Sequence, residues 1–165
     1  MRKSSTYKIL AAVMALSAAN WAVPADVSAG YVENGDYYVT ADGETVSNSN
    51  DYYNNVYGNG FSFTINDGVI ENDVYGVGKE GYTENVSGGD VTINGNADIA
   101  GAVYGGRSDG SSAHHNTVNI SGGSVLRDVY GGYVAQGIAN NNEIIISGSA
   151  NIENANLYGR NDNAH

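Results

Sequence analysis

Short apolar runs alternate with bends rich in glycine and asparagine along most of this chain. Alternation such as Val118-Asn119-Ile120 turns one side chain toward a core and the next toward solvent, as in a half-buried β-strand. Gly, Asn and Asp occupy the bends, where tight or left-handed turns are needed. Beyond about the first 25 residues the sequence has no helical apolar period. The pattern predicts an all-β chain of many short strands.

Two elements recur in phase with each other. An aliphatic residue followed by tyrosine and glycine occurs five times, with intervals of 18, 29, 26 and 28 residues between the tyrosines. A second apolar element precedes each of the last four copies, and its central isoleucine lies 10 to 12 residues before the tyrosine. The copies of the first element are Val56-Tyr57-Gly58, Val74-Tyr75-Gly76, Val103-Tyr104-Gly105, Val129-Tyr130-Gly131 and Leu157-Tyr158-Gly159, and the central isoleucines are Ile65, Ile93, Ile120 and Ile146.

A repeat of this length, built from strands alone, predicts a stacked architecture. One unit is too small to bury its own apolar face, but stacked copies form continuous parallel sheets. We therefore predict a right-handed parallel β-helix, a solenoid of about four to five coils. The aliphatic residue of each copy should fill the core, the glycine should turn a corner, and the tyrosine should point outward into a stacked ladder. A platform for sugars or peptides is the alternative role for these tyrosines.

The N-terminus has the order of a secretory signal. Arg2, Lys3 and Lys8 precede an apolar run from Ile9 to Ala19, which is too short to cross a bilayer. Small residues then lead up to Ala29. We predict a signal helix within residues 1–29 and cleavage after Ala29, with an uncleaved anchor as the alternative.

The ends of the remaining chain differ from its middle. Tyr37–Val46 places Asp42-Gly43 between two alternating stretches, which predicts a hairpin in an N-terminal cap over residues 30–54. Residues 55–165 form the repeats. The sequence stops soon after a Tyr-Gly pair, so we expect a truncated C-terminus, an open last coil, and self-association through that coil as a further property.

Composition narrows the class of partner. The chain has 23 glycines, 13 tyrosines and no cysteine, so its fold does not depend on disulfides. Its net charge is −11, and removal of residues 1–29 takes away three of seven basic and one of 18 acidic residues, leaving −13. Nucleic acids and anionic lipids bind through Lys and Arg clusters, so neither is an expected partner.

The motif Val-Tyr-Gly-Gly at 103–106 and the stretch Asn116–Gly123, together with the signal segment, resemble the passenger region of bacterial autotransporters. The resemblance covers Asn55 to Gly159 and implies a β-helix displayed at the surface of a Gram-negative cell or secreted from it. Family members carry a C-terminal barrel translocator, which this sequence does not contain. The resemblance therefore implies a separate or missing translocator.

Candidate chemistry is sparse. Most aspartates fall at different phases of the repeat and suit solvated turns, although Asp73 and Asp128 share a phase just ahead of their tyrosines. The aspartates considered are Asp67, Asp73, Asp90, Asp98, Asp109 and Asp128. His114-His115 would face opposite sides of a strand and lacks the further ligands of a metal site. The Ca²⁺-binding nonapeptide is only half matched at Ser87–Gly95.

We therefore predict no catalytic, cofactor-binding or metal-binding residues and no cofactor. The expected function is that of an exported, non-enzymatic structural or adhesive segment that meets a host or abiotic surface, through a glycan or protein ligand that the sequence does not identify. The alternatives are a secreted carbohydrate-active β-helix enzyme and a non-functional fragment of a longer surface protein.

Overall fold

The computed structural model describes residues 30–152 and 154–162. This part of the chain is all-β and contains no helix. Its sixteen strands are β1 (Tyr31–Glu33), β2 (Asp36–Tyr38), β3 (Glu44–Tyr53), β4 (Val56–Tyr57), β5 (Phe63–Ile70), β6 (Val74–Gly78), β7 (Val86–Ser87), β8 (Asp90–Ile99), β9 (Val103–Ser108), β10 (Ala113–His114), β11 (Thr117–Ile120), β12 (Ser124–Val125), β13 (Val129–Val134), β14 (Ala139–Asn140), β15 (Glu143–Ile146) and β16 (Leu157–Asp162).

The strands form a parallel β-solenoid of about four turns, which confirms the predicted architecture. Sheet A has the order β1-β2-β4-β6-β9-β13-β16, and sheet B has the order β15-β11-β8-β5-β3 with β12 paired to β8. The short sheet C, in the order β14-β10-β7, forms the third side in the later turns. The predicted signal helix and the cleavage site at Ala29 lie outside the described residues.

The pairing register follows the repeat read from the sequence. In sheet A, Val103 and Tyr104 pair with Val74 and Tyr75 on one side and with Val129 and Tyr130 on the other. In sheet B the isoleucines of successive repeats are direct partners, in the order Ile65, Ile93, Ile120 and Ile146. Most insertions between repeats are therefore absorbed in the loops, although register shifts interrupt the β3–β5 and β5–β8 pairings.

The core runs along the solenoid axis between sheets A and B. The aliphatic residues before the ladder tyrosines contribute to it, and Val56, Val74, Val103 and Val129 are each 0% exposed. Ile65, Ile93 and Ile120 meet them from sheet B and are equally buried. A smaller cluster of Val86, Ala113, Val134 and Ala139 fills the space beside sheet C.

The N-terminal hairpin differs from the prediction. Asp42-Gly43 does not join two paired strands, because β2 belongs to sheet A and β3 to sheet B. The antiparallel pair is instead β1 with β2, joined at Asn34-Gly35. Both turn residues have positive φ, 53° and 87°, as a two-residue hairpin of the type I′ class requires. Residues 30–54 thus contribute strands to the same two sheets as the later repeats.

Most of the repeat glycines lie within strands, and their expected role in turning corners stays a prediction. Gly76, Gly105 and Gly131 lie inside strands of sheet A, and none has positive φ. Space is the constraint, since a Cβ on Gly105 would lie 2.5 Å from the carbonyl oxygen of Gly131 in the next turn. Close stacking of turns therefore excludes any side chain at this position.

Candidate functional site

A ladder of seven tyrosines covers the outer side of sheet A. Neighbouring rings are stacked with centroids 4.9–5.4 Å apart and planes 4–23° from parallel. From Tyr38 onward the parallel register produces this ladder, because it places the same position of each repeat above the last, and the antiparallel β1–β2 pair adds Tyr31. The rings belong to Tyr31, Tyr38, Tyr57, Tyr75, Tyr104, Tyr130 and Tyr158, of which the sequence repeat had identified the last five.

The ring faces within the ladder are covered by their neighbours. Tyr75 is 4% exposed and Tyr104 is 8% exposed, although both point away from the main core. Tyr133 packs edge-on against Tyr104 and Tyr130, and the guanidinium carbon of Arg107 lies 5.1 Å from the ring centroids of Tyr104 and Tyr133. A sugar therefore has no free ring face on which to stack along the middle of the ladder.

A row of Asp and Asn side chains runs beside the ladder, two residues before five of its seven tyrosines. Oδ1 of Asp73 accepts a hydrogen bond of 2.8 Å from the backbone N–H of Ala102, one turn later. Asp128 accepts one of 3.1 Å from the N–H of Asn156 in the same way. The row is Asp36, Asn55, Asp73, Asp128 and Asn156, with Ala102 interrupting it in the middle.

The same carboxylates hold the tyrosine hydroxyls. Tyr75 donates a hydrogen bond of 2.9 Å to Oδ2 of Asp73, and Tyr130 donates one of 3.1 Å to Oδ2 of Asp128. Burial raises the pKa of Tyr75, and the adjacent charge of Asp73 raises it further. Burial also raises the pKa of Tyr104, to about 12, against the opposing effect of Arg107. The hydroxyls of these buried rings therefore stay protonated well into the alkaline range.

The pKa of Asp128 is lowered, whereas the pKa values of the buried tyrosines are raised. Its burial acts to raise the pKa, but hydrogen bonds from the backbone and side chain of Asn156 and from the hydroxyl of Tyr130 outweigh it, and the pKa is lowered. Asp128 is thus an ionised acceptor in the structure. Asp73 and Asp128 accordingly have a structural part in the ladder, whereas the sequence reading had placed them with the solvated turn residues.

A groove of about 700 Å³ lies where the row of Asp and Asn side chains is interrupted. The small residues Ala100 and Gly101 and the aromatic residues Tyr57 and Tyr75 are part of its lining. Its polar lining combines three carboxylates, two amides and two cations, from Glu71, Asp73, Glu80, Asn55, Asn72, Lys79 and Arg127. A second groove of about 210 Å³ adjoins it on the other side of Tyr57 and includes the exposed Tyr82.

Charge is distributed unevenly between the sheets. The four basic residues of positions 30–165 all lie in strands of sheet A or in the loops next to them: Lys79, Arg107, Arg127 and Arg160. The strands of sheet B contain no Lys or Arg, but they include Glu44, Asp67, Asp90, Asp98 and Glu143. The side of sheet A is therefore the one with mixed charge, grooves and aromatic rims, and we treat it as the candidate binding face.

The remaining candidate residues lie apart from this face or are bonded locally. Asp98 accepts a hydrogen bond of 2.8 Å from Ser124, and Asp67 accepts one of 2.9 Å from the N–H of Gly68. His114 ends β10, and its Nδ1 lies 3.0 Å from Nδ1 of His115. Within the described ranges, no group of three or more His, Cys, Asp or Glu side chains is arranged to hold a metal ion.

The sequence reading missed an asparagine ladder at the corner between sheets C and B. Asn116 is 0% exposed, and its Oδ1 accepts a hydrogen bond of 3.0 Å from the N–H of Gly89. Its Nδ2 donates one of 2.8 Å to Oδ1 of Asn142 in the next turn. The second glycine of the Val-Tyr-Gly-Gly motif faces this ladder, since a Cβ on Gly106 would lie 2.4 Å from Nδ2 of Asn116. The recurrence of Asn just before successive sheet B strands was the available signal.

No protein-family model, curated protein or solved structure matches this chain. The described part of the chain also contains no helix of the length and apolarity needed to cross a membrane. The candidate site therefore has to be interpreted from its own geometry.

Proposed function

We propose that this protein is an exported, non-enzymatic structural and adhesive β-solenoid, in which sheet A provides the surface that contacts a host or abiotic partner. The observation that carries the proposal is the state of the two carboxylates in the tyrosine ladder. In both Asp73 and Asp128, one carboxylate oxygen accepts a hydrogen bond from a ladder tyrosine and the other accepts one from a backbone N–H of the next turn. Residues bonded in this way stabilise a surface and are poorly placed to transfer protons.

Export and the autotransporter relationship belong to the same proposal. They rest on the basic, apolar and small-residue order of positions 1–29 and on the passenger-like repeat motifs. A rod of stacked turns suits display outside a cell, because each added turn lengthens the outer faces while it repeats the same core packing.

The grooves beside Tyr57 favour a ligand with many hydroxyl groups. Carboxylate and amide side chains accept and donate the hydrogen bonds that such a ligand offers, and here Glu71, Asn72 and Glu80 line one groove together with Lys79. Charges of both signs in one groove disfavour a polyanion or a polycation. A neutral or zwitterionic glycan is therefore the ligand class that this surface fits best.

A carbohydrate-active enzyme is the second candidate, and one specific observation favours it. Three carboxylates, from Glu71, Asp73 and Glu80, line the same groove, and glycoside cleavage uses pairs of carboxyl groups. Glu71 is exposed, however, and exposure does not favour the protonated acid that such a reaction needs. We rank this function below adhesion for that reason.

Adhesion is tested by coating microspheres with the purified protein and counting those retained under flow on surfaces bearing dextran, chitin, mucin or collagen. The expected result is retention on at least one glycan surface and its loss when Glu71→Ala and Lys79→Ala are combined in the groove. The matched control combines Glu84→Ala and Arg160→Ala, two exposed positions outside the groove that also leave the net charge unchanged, and should adhere like the unaltered protein. Equal retention on uncoated glass and on every coated surface, for all three proteins, would overturn the proposal.

A further inference from the structure

The smaller groove beside Tyr57 differs in charge from the larger one. Its volume is about 210 Å³, and its polar and aromatic side chains come from Tyr38, Tyr57, Asn59, Lys79 and Tyr82. This lining has one cation and no carboxylate, whereas three carboxylates line the larger groove. On a chain with a net charge of −11, an acidic group can therefore enter the smaller groove without facing a carboxylate in its lining.

The ammonium group of Lys79 is not engaged by an acidic side chain. Its Nζ lies 5.4 Å from the ring centroid of Tyr57. In the part of the chain that the structure describes, no carboxylate oxygen lies within 4.0 Å of this nitrogen. An ammonium group forms short, charge-assisted hydrogen bonds with a carboxylate. Lys79 is therefore the side chain that would bind an acid in the smaller groove.

Tyr82 offers an aromatic surface that the ladder does not. Its side chain is 40% exposed, whereas Tyr75 and Tyr104 within the ladder are 4% and 8% exposed. Among the described residues, no other ring packs on Tyr82. A tyrosine of this kind presents a flat apolar ring beside a polar hydroxyl. One side of a sugar ring consists mostly of C–H groups, so a sugar can pack on Tyr82 while its hydroxyls bond to Asn59 in the same groove.

The loop between β6 and β7, which carries both of these side chains, is held by the next turn. The backbone N–H of Gly81 donates a hydrogen bond of 2.7 Å to Oδ2 of Asp109, and the N–H of Asp109 donates one of 2.6 Å to the carbonyl oxygen of Tyr82. The hydroxyl of Ser108 donates one of 2.8 Å to the carbonyl oxygen of Glu84. A loop fixed in this way needs little further ordering when a ligand binds. The smaller groove is therefore lined by a preorganised segment.

We propose that the smaller groove binds one uronic acid residue of an otherwise neutral glycan. The sugar ring packs on Tyr82, and its carboxylate pairs with Lys79. This site rests on the glycan-binding function proposed for sheet A, and it adds a single acidic sugar to the largely neutral ligand described there. A carboxylate suits the site because Lys79 is a single compact charge, whereas phosphate groups are often bound by the two-pronged guanidinium of arginine.

The larger groove limits the number of acidic sugars. Tyr57 and Lys79 line both grooves, so the two are neighbours along the path of one ligand. Glu71, Asp73 and Glu80 contribute carboxylates to the larger groove. A second uronate beside the first would meet these carboxylates and be repelled. A homopolymer of uronic acid should therefore bind more weakly than a glycan in which neutral sugars flank the acid.

Nuclear magnetic resonance of protein with isotope-labelled tyrosine rings tests this site. The chain has 13 tyrosines, and Tyr82→Phe identifies the signal of Tyr82. The probes are methyl glucuronide and methyl galacturonide, each compared with the neutral methyl glycoside of the same sugar. We expect a saturable shift of the Tyr82 signal and, in at least one pair, a Kd about threefold lower for the uronide than for its neutral partner. Added salt should remove this preference, because it screens the charge of Lys79.

Matched variants separate the smaller groove from the larger one. Lys79→Gln should bring the two Kd values of a pair together, whereas Arg127→Gln, at a cation that lines only the larger groove, should preserve the difference. Tyr82→Ala should weaken binding of uronide and neutral glycoside alike by at least about threefold, with binding followed through the ring signal of Tyr57. Tyr52→Ala is its control, because Tyr52 is 65% exposed on sheet B. Digalacturonate should bind more weakly than methyl galacturonide.

The uronate site and the adhesive function can fail separately. A Tyr82 signal that no probe shifts, equal Kd values within both pairs, or equal effects of Lys79→Gln and Arg127→Gln would each overturn the site. Tighter binding of digalacturonate than of methyl galacturonide would overturn its restriction to a single acid. Coated microspheres that adhere to a glycan surface while the Tyr82 signal stays fixed would refute the site and leave adhesion standing. The reverse result would support the site and refute adhesion.

Discussion

The carboxylate of Asp73 connects the hydroxyl of Tyr75 to the backbone of the next turn. One oxygen accepts a hydrogen bond of 2.9 Å from the tyrosine hydroxyl, and the other accepts one of 2.8 Å from the N–H of Ala102. The outer ladder of sheet A is thereby coupled to the spacing of the turns. The tyrosines are therefore best understood as part of the framework of sheet A.

Replacement of this carboxylate should destabilise the fold. Asp73→Ala leaves the hydroxyl of the buried Tyr75 and the N–H of Ala102 without their acceptor, and we expect a loss of about 1–3 kcal/mol in the free energy of unfolding. Urea unfolding followed by circular dichroism measures it. Asp90→Ala, at an exposed position of sheet B, is the control and should change that free energy by less than about 0.5 kcal/mol. Equal effects of the two changes would contradict the coupling.

Completion of the row of Asp and Asn side chains should stabilise the protein. Ala102 has no side-chain acceptor for the N–H of Asp128, while Asp128 has one for the N–H of Asn156. Ala102→Asn supplies the acceptor, and we expect a gain of about 1 kcal/mol in the same unfolding measurement. Ala102→Asp should gain less, since its charge would lie between those of Asp73 and Asp128. A greater gain with Asp than with Asn would show that the row does not work as described.

The glycines of sheet A should differ in tolerance according to their distance from the next turn. A Cβ on Gly105 would lie 2.5 Å from the carbonyl oxygen of Gly131, whereas the nearest atom to a Cβ on Gly159 is 4.0 Å away. We expect Gly105→Ala to cost about 1–3 kcal/mol or to prevent folding, and Gly159→Ala to be nearly neutral. Thermal unfolding of both variants provides the comparison. Similar melting temperatures would show that the turns are less closely stacked than in this structure.

Alkaline pH should destabilise the fold through the ladder. Unfolded tyrosine ionises near pH 10, while burial raises the pKa of Tyr104 to about 12 in the folded protein. Because the folded pKa is the higher one, the stabilisation is complete below about pH 10 and is lost as the pH rises toward about 12. Urea unfolding at several pH values, with phenolate absorbance recorded in parallel, should show this decline. Tyr104→Phe should make it shallower, and a flat profile for the unaltered protein would refute it.

Much of the architecture was predictable because equivalent residues of successive repeats pair with one another in the sheets. The intervals between tyrosines vary, yet the tyrosines pair directly, since the insertions fall in loops where extra residues cost little. The hairpin was misplaced because the chain has two similar turn signals. Asn34-Gly35 adopts positive φ at both residues, whereas Asp42-Gly43 does so only at Gly43 and makes a bend between sheets.

Features that depend on the distance between turns could not be predicted from one sequence. The need for glycine at position 105 comes from a carbonyl oxygen 26 residues away, and nothing in the local pattern indicates that contact. The groove beside Tyr57 arises in the same way, because the small residues Ala100 and Gly101 stack between the larger side chains of neighbouring turns. Sequence patterns indicate which side chains face outward, but side-chain packing between turns determines where a ligand fits.

We propose that this face binds a glycan without transforming it, and one assay can measure binding and cleavage together. The purified protein is incubated with insoluble chitin, cellulose, starch and cross-linked dextran, and each well is assayed both for retained protein and for released reducing sugar. We expect retention of the protein on at least one polysaccharide and no release of reducing sugar above that of the buffer. Release of soluble sugar that is lost in the combined Glu71→Ala and Lys79→Ala variant would contradict binding without cleavage and identify an enzyme. A lack of retention on every polysaccharide would contradict the proposed ligand class.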